Sequence, residues 1–373
     1  MLHTDSPSLD TRVPLIGLDR RALEKELVKL GEPEYRAKQI WHWLYHRGAQ
    51  TFDDMTTLPR GLRELLHTNC TIQRPKIKRL QTSEDKSRKW LVEFADGNEV
   101  ECVHIPEEDR GALCISSQVG CTLTCKFCHT GTQKLVRNLT SREIVEQFLV
   151  ARDTIDEWPS SSDQRMISNV VMMGMGEPLY NYENVSRALR IVMDGEGIAL
   201  SKRKITLSTA GVVPLFKRCG EELGVNLAVS LHAVTDDVRN ILVPINKKYP
   251  IAELLNACRS YPSGKNSRRI TFEYVMLQGI NDSDSDARAL VRLLGGIPAK
   301  VNLIPFNEWP DAPYKCSSNN RMHAFADIVN SGGLSAPIRV PRGRDILAAC
   351  GQLKSASERI KKLFGTKTDE NCR

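Results

Sequence analysis

The chain has 373 residues, of which 41% are hydrophobic and 26% charged, and its formal net charge is +7. This composition is typical of a globular enzyme and excludes collagen-like and intrinsically disordered proteins. No apolar run reaches the roughly 20 residues needed to span a bilayer, and the first residues lack the basic and apolar regions of a signal peptide. We therefore expect a cytoplasmic protein with no membrane partner.

Basic residues concentrate in two stretches of the chain. Between Thr71 and Trp90 there are seven basic and two acidic residues, and the same numbers occur between Leu334 and Gly365. Such clusters are typical either of a solvated charged face or of a surface that contacts phosphates. Charge alone leaves both interpretations open.

Residues 1–17 are expected to form a disordered tail, and residues 18–70 a small helical accessory domain. Leucines at positions 23, 27 and 30 recur at helical spacing, a Gly-Glu-Pro sequence then ends the helix, and a second helix is predicted from Arg36 to His46. Trp41 to Arg47 interleaves aromatic and basic side chains, which is compatible with stacking on RNA. The burial preference of Trp favours the core of the domain instead.

Residues 71–110 are predicted to be a basic linker followed by a β-hairpin. Apolar and polar residues alternate over Trp90–Phe94 and Glu99–Ile105, with an Asp-Gly-Asn turn between them. Glu101 falls on the same face as Val103 and Ile105. Desolvation there would raise the pKa of its carboxyl group and make it a candidate general base. Spacing alone favours the alternative, a glutamate at a sheet edge that points into solvent.

From residue 111 to 345 the chain alternates strands and helices, which predicts an α/β fold with parallel strands and right-handed crossovers. Six strand–helix units are too few for a closed eight-stranded barrel, so we expect a partial (βα)6 barrel. Thr140 and Glu143 form a capping box before a helix predicted from Ser141 to Ile155. A further strand is expected over Ile338–Pro341. Residues 346–373 are expected to form a C-terminal segment with a basic helix. The six predicted strands are Ala112–Ser117, Asn169–Gly174, Lys204–Thr209, Val225–Leu231, Ile270–Met276 and Lys300–Phe306.

The clearest chemical motif directly follows the first predicted barrel strand, where Cys121, Cys125 and Cys128 are spaced four and three residues apart. Structural zinc sites usually take four ligands in two separated pairs. Three closely spaced thiolates suit an iron–sulfur cluster with one iron left open. A non-catalytic RNA-binding protein with zinc on these cysteines is the less favoured alternative.

The chain resembles the radical S-adenosylmethionine (SAM) superfamily in this motif, and in its other motifs it is similar to the RlmN-type RNA adenine-C2 methyltransferases. The resemblance extends from about residue 18 to 353. It rests on the segments CISSQVGC at 114–121, NVVMMGMGEP at 169–178, SKRKITLST at 201–209, SLHA at 230–233, VPINKK at 243–248 and GRDILAACGQL at 343–353.

The resemblance implies two cofactors and their binding residues. One 4Fe-4S cluster would be held by Cys121, Cys125 and Cys128. SAM would bind near the ends of the predicted strands, where the active sites of such barrels lie. The implied SAM-binding residues are Gly176, Glu177, Ser208, Ser230, Leu231, His232 and Asn307.

The resemblance also implies the chemistry. Cys350 would carry the methyl group as S-methylcysteine, Glu101 would be the base, and Cys114 would resolve the product through a transient disulfide with Cys350. Two SAM molecules would be used per turnover. The sister enzymes that methylate C8 share almost the same machinery. The complete N-terminal domain and the Met-Gly-Met-Gly-Glu-Pro sequence at 173–178 favour C2.

The implied substrates are adenine 2503 of 23S rRNA and adenine 37 of tRNA. The implied electron donor is a low-potential protein such as flavodoxin or ferredoxin. We expect a monomer.

Overall fold

The computed structural model describes residues 10–108, 110–160, 165–262 and 269–357. Residues 1–9 of the expected tail, and most of the expected C-terminal helix, lie outside these ranges. The chain is ordered earlier than the tail prediction allowed, because Val13–Pro14 pairs with Cys70–Thr71 and Leu15 and Ile16 are buried. Within the described ranges, no helix combines the length and apolar character needed to cross a membrane.

The N-terminal part is helical, as predicted. Asp19 caps the first helix by accepting a hydrogen bond from the amide of Ala22. The elements are β1 (Val13–Pro14), α1 (Arg20–Lys29), α2 (Arg36–Tyr45), α3 (Arg60–Asn69) and β2 (Cys70–Thr71).

The aromatic residues of α2 divide between two environments. Trp41 and Tyr45 are buried in the core, which confirms the favoured interpretation for these two side chains. His42, Trp43 and His46 are only partly buried on the other side of the helix. The interleaved pattern therefore combines a core face with a partly exposed face.

The remaining strands and helices in chain order are β3 (Lys76–Thr82), β4 (Arg88–Glu93), β5 (Glu99–Pro106), β6 (Gly111–Cys114), β7 (Gln118–Val119), β8 (Arg137–Asn138), α4 (Ser141–Ile155), β9 (Asn169–Met172), α5 (Tyr182–Met193), β10 (Ile205–Thr209), α6 (Phe216–Glu222), β11 (Asn226–Ser230), α7 (Asp236–Leu242), α8 (Ile251–Arg259), β12 (Ile270–Met276), α9 (Asp284–Leu293), β13 (Ala299–Pro305) and α10 (Asn319–Ser331). Nine of these strands form one sheet, in the order β13-β12-β11-β10-β9-β6-β5-β4-β3, and β7 pairs with β8 in a small separate sheet.

Six of these strands, β6 and β9 to β13, are parallel neighbours and correspond to the six predicted strands. The sheet ends at β13 on one side, so the barrel is open, as expected for a partial barrel. The predicted hairpin, β4 and β5, is not a separate linker. It continues the same sheet in antiparallel fashion through β6.

Two parts of the chain differ from the sequence prediction. The expected basic linker contains β3, an edge strand with mostly exposed residues, and charged side chains on such an edge oppose pairing with other chains. The expected strand at 338–341 is reduced to a single parallel bridge between Leu303 and Ile338.

A charged pair joins the N-terminal helices to the barrel. Arg20 donates two hydrogen bonds to the carboxylate of Asp194, at 2.8 and 2.6 Å, and Trp41 Nε1 donates to the same carboxylate at 3.2 Å. We predict that Asp194→Ala lowers the free energy of unfolding by about 2 kcal/mol, because it removes these charge-assisted bonds. Urea denaturation measures this effect.

The matched control is Asp327→Ala, at an exposed position of α10. It is expected to change the unfolding free energy by less than about 0.5 kcal/mol. Equal losses in the two variants would contradict a specific role for Asp194.

Candidate active site

A cavity opens at the carboxyl ends of the parallel strands and encloses about 1010 Å³, part of it open to solvent. Each of the parallel strands from β9 to β13 contributes at least one residue to its lining. These residues are Met172 on β9, Ser208 on β10, Ser230 on β11, Glu273 on β12 and Ile304 on β13.

The three predicted cluster ligands lie on one wall of this cavity. Cys121, Cys125 and Cys128 occupy the loop between β7 and β8, and all three line the cavity. Burial raises the pKa of each thiol, and neighbouring cysteines add to the rise for Cys121 and Cys125. The loop is held from outside, because the amide of Lys126 donates to Leu242 O at 3.1 Å.

This donor set suits a cluster better than a single ion. Within the described ranges, no three His, Cys, Asp or Glu side chains are placed to hold one metal ion. Cysteine thiolates bind iron–sulfur clusters at separate irons, so the ligands surround the cluster and need not meet at one point. Three thiols that share one cavity wall fit that requirement.

Most of the predicted SAM-binding residues line the same cavity: Gly176, Glu177, Ser208, Ser230, His232 and Asn307. Leu231 is the exception. Its side chain is fully buried, and its amide donates to Glu273 O at 3.1 Å. Leu231 therefore does not line the cavity in this structure.

Gly176 is required by the packing of the protein itself. Its φ is +97°, and a Cβ atom there would lie 2.5 Å from the Cβ of Gln118. Gly174 is similarly close to Ile115. The requirement for glycine at these two positions cannot be read from the sequence, because it arises from contact with residues that follow β6.

Glu177 is a buried carboxylate with both oxygens engaged. Oε1 accepts from the amide of Leu179 at 3.1 Å, and Oε2 accepts from the amide of Ala210 at 2.8 Å. Burial nevertheless raises the pKa of Glu177 to about 7. Its position at the cavity wall is thus fixed by backbone donors from two segments.

His232 adopts a strained backbone conformation, with φ of 58° in a non-glycine residue. Its Nδ1 accepts from the amide of Val275 at 3.0 Å, and the ring packs edge-on against Phe127. Burial, followed by the charge of Arg239, lowers the pKa of His232 to about 3. The ring is therefore neutral at physiological pH, and its proton lies on Nε2.

Sequence analysis missed Arg239, which organises the rim of the cavity. Its fully buried guanidinium donates to the carbonyls of Leu231, Ala210 and Ser230, at 3.1, 2.8 and 2.9 Å. These carbonyls belong to the ends of β10 and β11. An arginine in a helix that follows a strand carries no local signal of this role, since its partners are set by the tertiary fold.

The C-terminal segment 343–357 crosses the cavity and brings Cys350 to it. Asn307 Nδ2 donates to Cys350 O at 3.2 Å, and the amide of His129 donates to Gly351 O at 2.7 Å. Cys350 is an exposed residue that lines the cavity. Desolvation of its thiol within the cavity, followed by the charge of Glu273, raises the pKa of the thiol to about 11. The segment around Cys350 is not helical in the described residues.

Cys114 lies at the end of β6 and is only 8% exposed. It does not line the cavity. Burial raises the pKa of the Cys114 thiol, and the charge of Cys350 raises it further. The structure therefore places these two cysteines within electrostatic range of each other, although 236 positions separate them in the chain.

Glu101 lies in the interior of the sheet, because β5 is paired with both β4 and β6. The alternative of a solvent-facing edge glutamate is wrong, since the side chain is 7% exposed. Oε1 pairs with Lys89 Nζ at 2.9 Å, and Oε2 accepts from the amide of Lys354 at 2.9 Å. Burial raises the pKa of Glu101 even though Lys89 opposes it.

A second hollow adjoins Glu101 on the side of the C-terminal segment. Its lining includes the basic side chains of Arg79, Lys89 and Lys354, together with His129 and Asp345. The basic stretch that contains β3 thus contributes directly to this surface. A positive hollow of this kind attracts anionic ligands.

Two family models match this chain. The model of the ribosomal RNA large subunit methyltransferase N-terminal domain matches residues 13–72, and that of the radical SAM superfamily matches residues 115–291. The solved structure of a radical SAM methyltransferase from Sphaerobacter thermophilus shares 45% identity. It superposes with a TM-score of 0.86 over 91% of this chain and 99% of that one. The fold is therefore that of a radical SAM enzyme, a class that uses a 4Fe-4S cluster and SAM.

Curated relatives define the family more narrowly. The dual-specificity RNA methyltransferase RlmN of Rhodospirillum rubrum is 60% identical over 95% of this chain and 83% of its own. The protein of the same name from Gluconobacter oxydans is 60% identical over 94% and 87%. The chain belongs to the RlmN family of RNA methyltransferases. This membership argues against the zinc-containing RNA-binding module.

The role of the buried Arg239 in holding the ends of β10 and β11 can be tested by substitution. We predict that Arg239→Lys lowers the free energy of unfolding by about 3 kcal/mol, because an ammonium group cannot reproduce the planar fork that reaches three carbonyls. We also expect weaker SAM binding, since the ends of β10 and β11 lose their shared donor. Thermal unfolding and equilibrium binding of SAM measure the two effects.

Arg288→Lys is the matched control, at an exposed position of α9. It should leave both quantities unchanged. A stable Arg239→Lys protein that binds SAM with unaltered affinity would refute the role assigned to Arg239.

Proposed function

We propose that this chain methylates C2 of adenine in RNA, at adenine 2503 of 23S rRNA and adenine 37 of tRNA, through a methyl group carried on Cys350. The observation that carries the proposal is that the Cys350 thiol lines the same cavity as Cys121, Cys125 and Cys128. The C2 carbon of adenine has no lone pair, so it cannot displace a methyl group from a sulfonium as a nucleophile does. A carrier thiol beside a radical-generating site meets this chemical requirement.

We assign the cluster to Cys121, Cys125 and Cys128. When bound, the cluster supplies the electron for reductive cleavage of SAM. The rim residues Gly176, Glu177, Ser208, Ser230, His232 and Asn307 would bind SAM. Leu231 would hold the rim in place, because its amide donates to Glu273 O and its carbonyl accepts from Arg239. The neutral His232 offers an Nε2–H donor to an anionic or carbonyl oxygen.

Three side chains of this protein act on the methyl group and the base. The sulfur of Cys350 receives a methyl group. One C–H bond of that methyl group would then break, with the hydrogen atom going to the radical that SAM cleavage would supply, and the remaining carbon would bond to adenine C2. Glu101 removes the C2 proton. The thiol of Cys114 attacks the sulfur of Cys350 and releases the product, which leaves a Cys114–Cys350 disulfide that needs two electrons for its reduction. The electrostatic proximity of these two cysteines supports the pairing.

RNA is expected to approach from the side of the basic hollow around Glu101. Arg79, Lys89 and Lys354 line that hollow, and such side chains bind phosphates. Both oxygens of Glu101 are engaged by Lys89 and the Lys354 amide, so the segment around Lys354 must shift before Glu101 can reach a base. We assign residues 18–70 to an RNA-binding accessory domain, residues 111–345 to the catalytic barrel and residues 346–373 to a segment that carries the methyl group.

The remaining partners follow from the chemistry. A cluster-dependent reaction needs a low-potential electron donor such as flavodoxin or ferredoxin. A substrate in ribosomal and transfer RNA fits a cytoplasmic enzyme. A monomer is sufficient, since every proposed site residue comes from one chain.

The carrier role of Cys350 predicts a specific loss of product. Reconstituted protein incubated with SAM, reductant and an rRNA fragment should form 2-methyladenosine, identified by mass spectrometry against 2-methyl- and 8-methyladenosine standards. Cys350→Ala should form none, because no thiol receives the methyl group.

Cys316→Ala serves as the matched control, because this cysteine is half-buried and does not line the cavity. It should retain product formation. Formation of 8-methyladenosine by the unaltered protein would show that it methylates C8 instead of C2. Formation of 2-methyladenosine by Cys350→Ala would refute the carrier role.

The base role of Glu101 predicts a trapped intermediate. Glu101→Gln cannot accept the C2 proton, so a covalent RNA–protein adduct should accumulate while turnover falls by about 10²- to 10⁴-fold. Denaturing gel electrophoresis with labelled RNA detects the adduct.

Glu99→Gln is the control, since Glu99 lies two residues away on the same face of β5, is equally buried and pairs with Lys78. It should give no adduct. Normal turnover by Glu101→Gln would eliminate Glu101 as the base.

A further inference from the structure

One buried carboxylate in the cavity has no part in the function proposed so far. Glu273 lies on β12, opposite Ser230 on β11 and Asn302 on β13. It is 6% exposed, and its side chain lines the cavity that Cys350 also lines. Burying a carboxylate costs free energy unless it is compensated, so its presence at this position calls for a chemical explanation.

The surroundings of Glu273 orient its carboxylate without neutralising it. Asn302 Nδ2 donates to Oε1 at 2.9 Å. The charged groups that act on it are Arg339 and Lys300, and neither forms a hydrogen bond or ion pair with it in the described ranges. Burial dominates and raises the pKa of Glu273 to about 7. A group with such a pKa can accept and release a proton near neutral pH.

Glu273 acts on one thiol in particular. After burial, its charge makes the largest contribution to the raised pKa of Cys350. The thiol faces the cavity because Asn307 holds the backbone carbonyl of Cys350, and Arg344 in turn donates to Asn307 Oδ1 at 3.0 Å. The carboxylate and the thiol are thus positioned by two different asparagines, Asn302 on β13 for Glu273 and Asn307 just after β13 for Cys350.

The other titratable groups of the cavity are less suited to accept a proton from Cys350. Both oxygens of Glu177 already accept backbone hydrogen bonds. The Nδ1 atom of His232 accepts from Val275, and its Nε2 carries the ring proton. The remaining titratable lining residues in the described part of the chain are the three cysteines assigned to the cluster.

We propose that Glu273 is the proton acceptor for the Cys350 thiol when that thiol takes a methyl group from SAM. The inference rests on the proposed role of Cys350 as methyl carrier, and it assigns the residue that makes this first transfer efficient. It gives the protein two proton acceptors at separate places, Glu273 in the cavity for the thiol and Glu101 at the basic hollow for the RNA base.

The step is balanced without any further reagent. A bond forms between Cys350 Sγ and the methyl carbon, and the bond between that carbon and the sulfonium sulfur breaks. The electron pair of the broken bond stays on the departing sulfur, which leaves as the neutral thioether of S-adenosylhomocysteine. The S–H proton moves to the Glu273 carboxylate, and no oxidant or reductant takes part.

Methyl transfer to Cys350 can be measured without RNA and without reductant. Full-length, cluster-reconstituted protein with an unmodified Cys350 is incubated with SAM that carries a deuterated methyl group. Peptide mass spectrometry then follows the label on Cys350. Glu273→Gln should lower the maximal rate about 100-fold, with little change in the SAM concentration that gives half the maximal rate. The wild-type rate should fall as the pH drops through about 7, and Glu273→Gln should lack this inflection.

Alkylation of Cys350 by iodoacetamide separates proton transfer from a structural effect. Removing a negative charge beside a thiol lowers the pKa of that thiol, so Cys350 of the Glu273→Gln variant should be alkylated at least as fast as in wild type.

Glu273→Asp, which keeps a carboxylate, should restore part of the methylation rate and provides a second variant if the Gln form is unstable. Glu146→Gln is the matched control, because Glu146 is equally buried but lies outside the cavity on α4. It should methylate Cys350 normally.

Three results would overturn the proposal. Wild-type methylation rates in Glu273→Gln would show that another group takes the proton. A parallel loss of alkylation and methylation, or a rise in the half-saturating SAM concentration alone, would mean a structural or SAM-binding role. No label on wild-type Cys350 would refute the carrier proposal itself, and this inference would fall with it.

Discussion

The active site depends on the hydrogen bonds that hold the C-terminal segment against the cysteine loop. The amide of His129 donates to Gly351 O, and Thr130 Oγ1 donates to Leu353 O at 2.5 Å. These contacts join residues more than 200 positions apart, so they form only when distant parts of the chain have folded together. Together with the hydrogen bond from Asn307 to Cys350 O, they fix the position of Cys350 relative to the rim. The position of the proposed carrier thiol is therefore a property of the whole fold.

Burial sets the charge state of nearly every group in the cavity. It raises the pKa of Glu177 and Glu273 to about 7 and that of Cys350 to about 11, and it lowers that of His232 to about 3. Each shift favours the uncharged form, as low polarity requires. A sulfonium ligand would reverse part of this effect, because a positive charge stabilises nearby carboxylates and thiolates in their ionised forms. Binding of the cofactor and activation of the protein's own groups are thus linked by electrostatics.

Sequence patterns predicted the local elements well because their causes are local. The capping box of Thr140 and Glu143 is present as expected, and the six parallel strands follow the periodicity of buried residues. Glu101 marks the limit of such predictions. Alternation of apolar and polar residues indicates which face of the sheet a side chain is on, but it does not indicate whether the strand has one neighbouring strand or two. Whether β5 was an edge depended on pairing with β6, a tertiary fact. The same limit applied to Arg239 and Glu273, because one binds carbonyls of distant segments and the other reads as an ordinary glutamate in an apolar strand.

The two carboxylates with proposed proton-transfer roles, Glu101 on β5 and Glu273 on β12, have different environments that suit different tasks. Glu101 is paired with Lys89 and accepts from the Lys354 amide, so both of its oxygens are engaged until the C-terminal segment shifts. Glu273 receives one oriented hydrogen bond, from Asn302. A proton acceptor for a thiol of the protein should be available before RNA binds, whereas a base for the substrate gains selectivity if RNA must first displace its partners. Under the proposed roles, the proton transfer from Cys350 would need no rearrangement, and the proton transfer from adenine would need one.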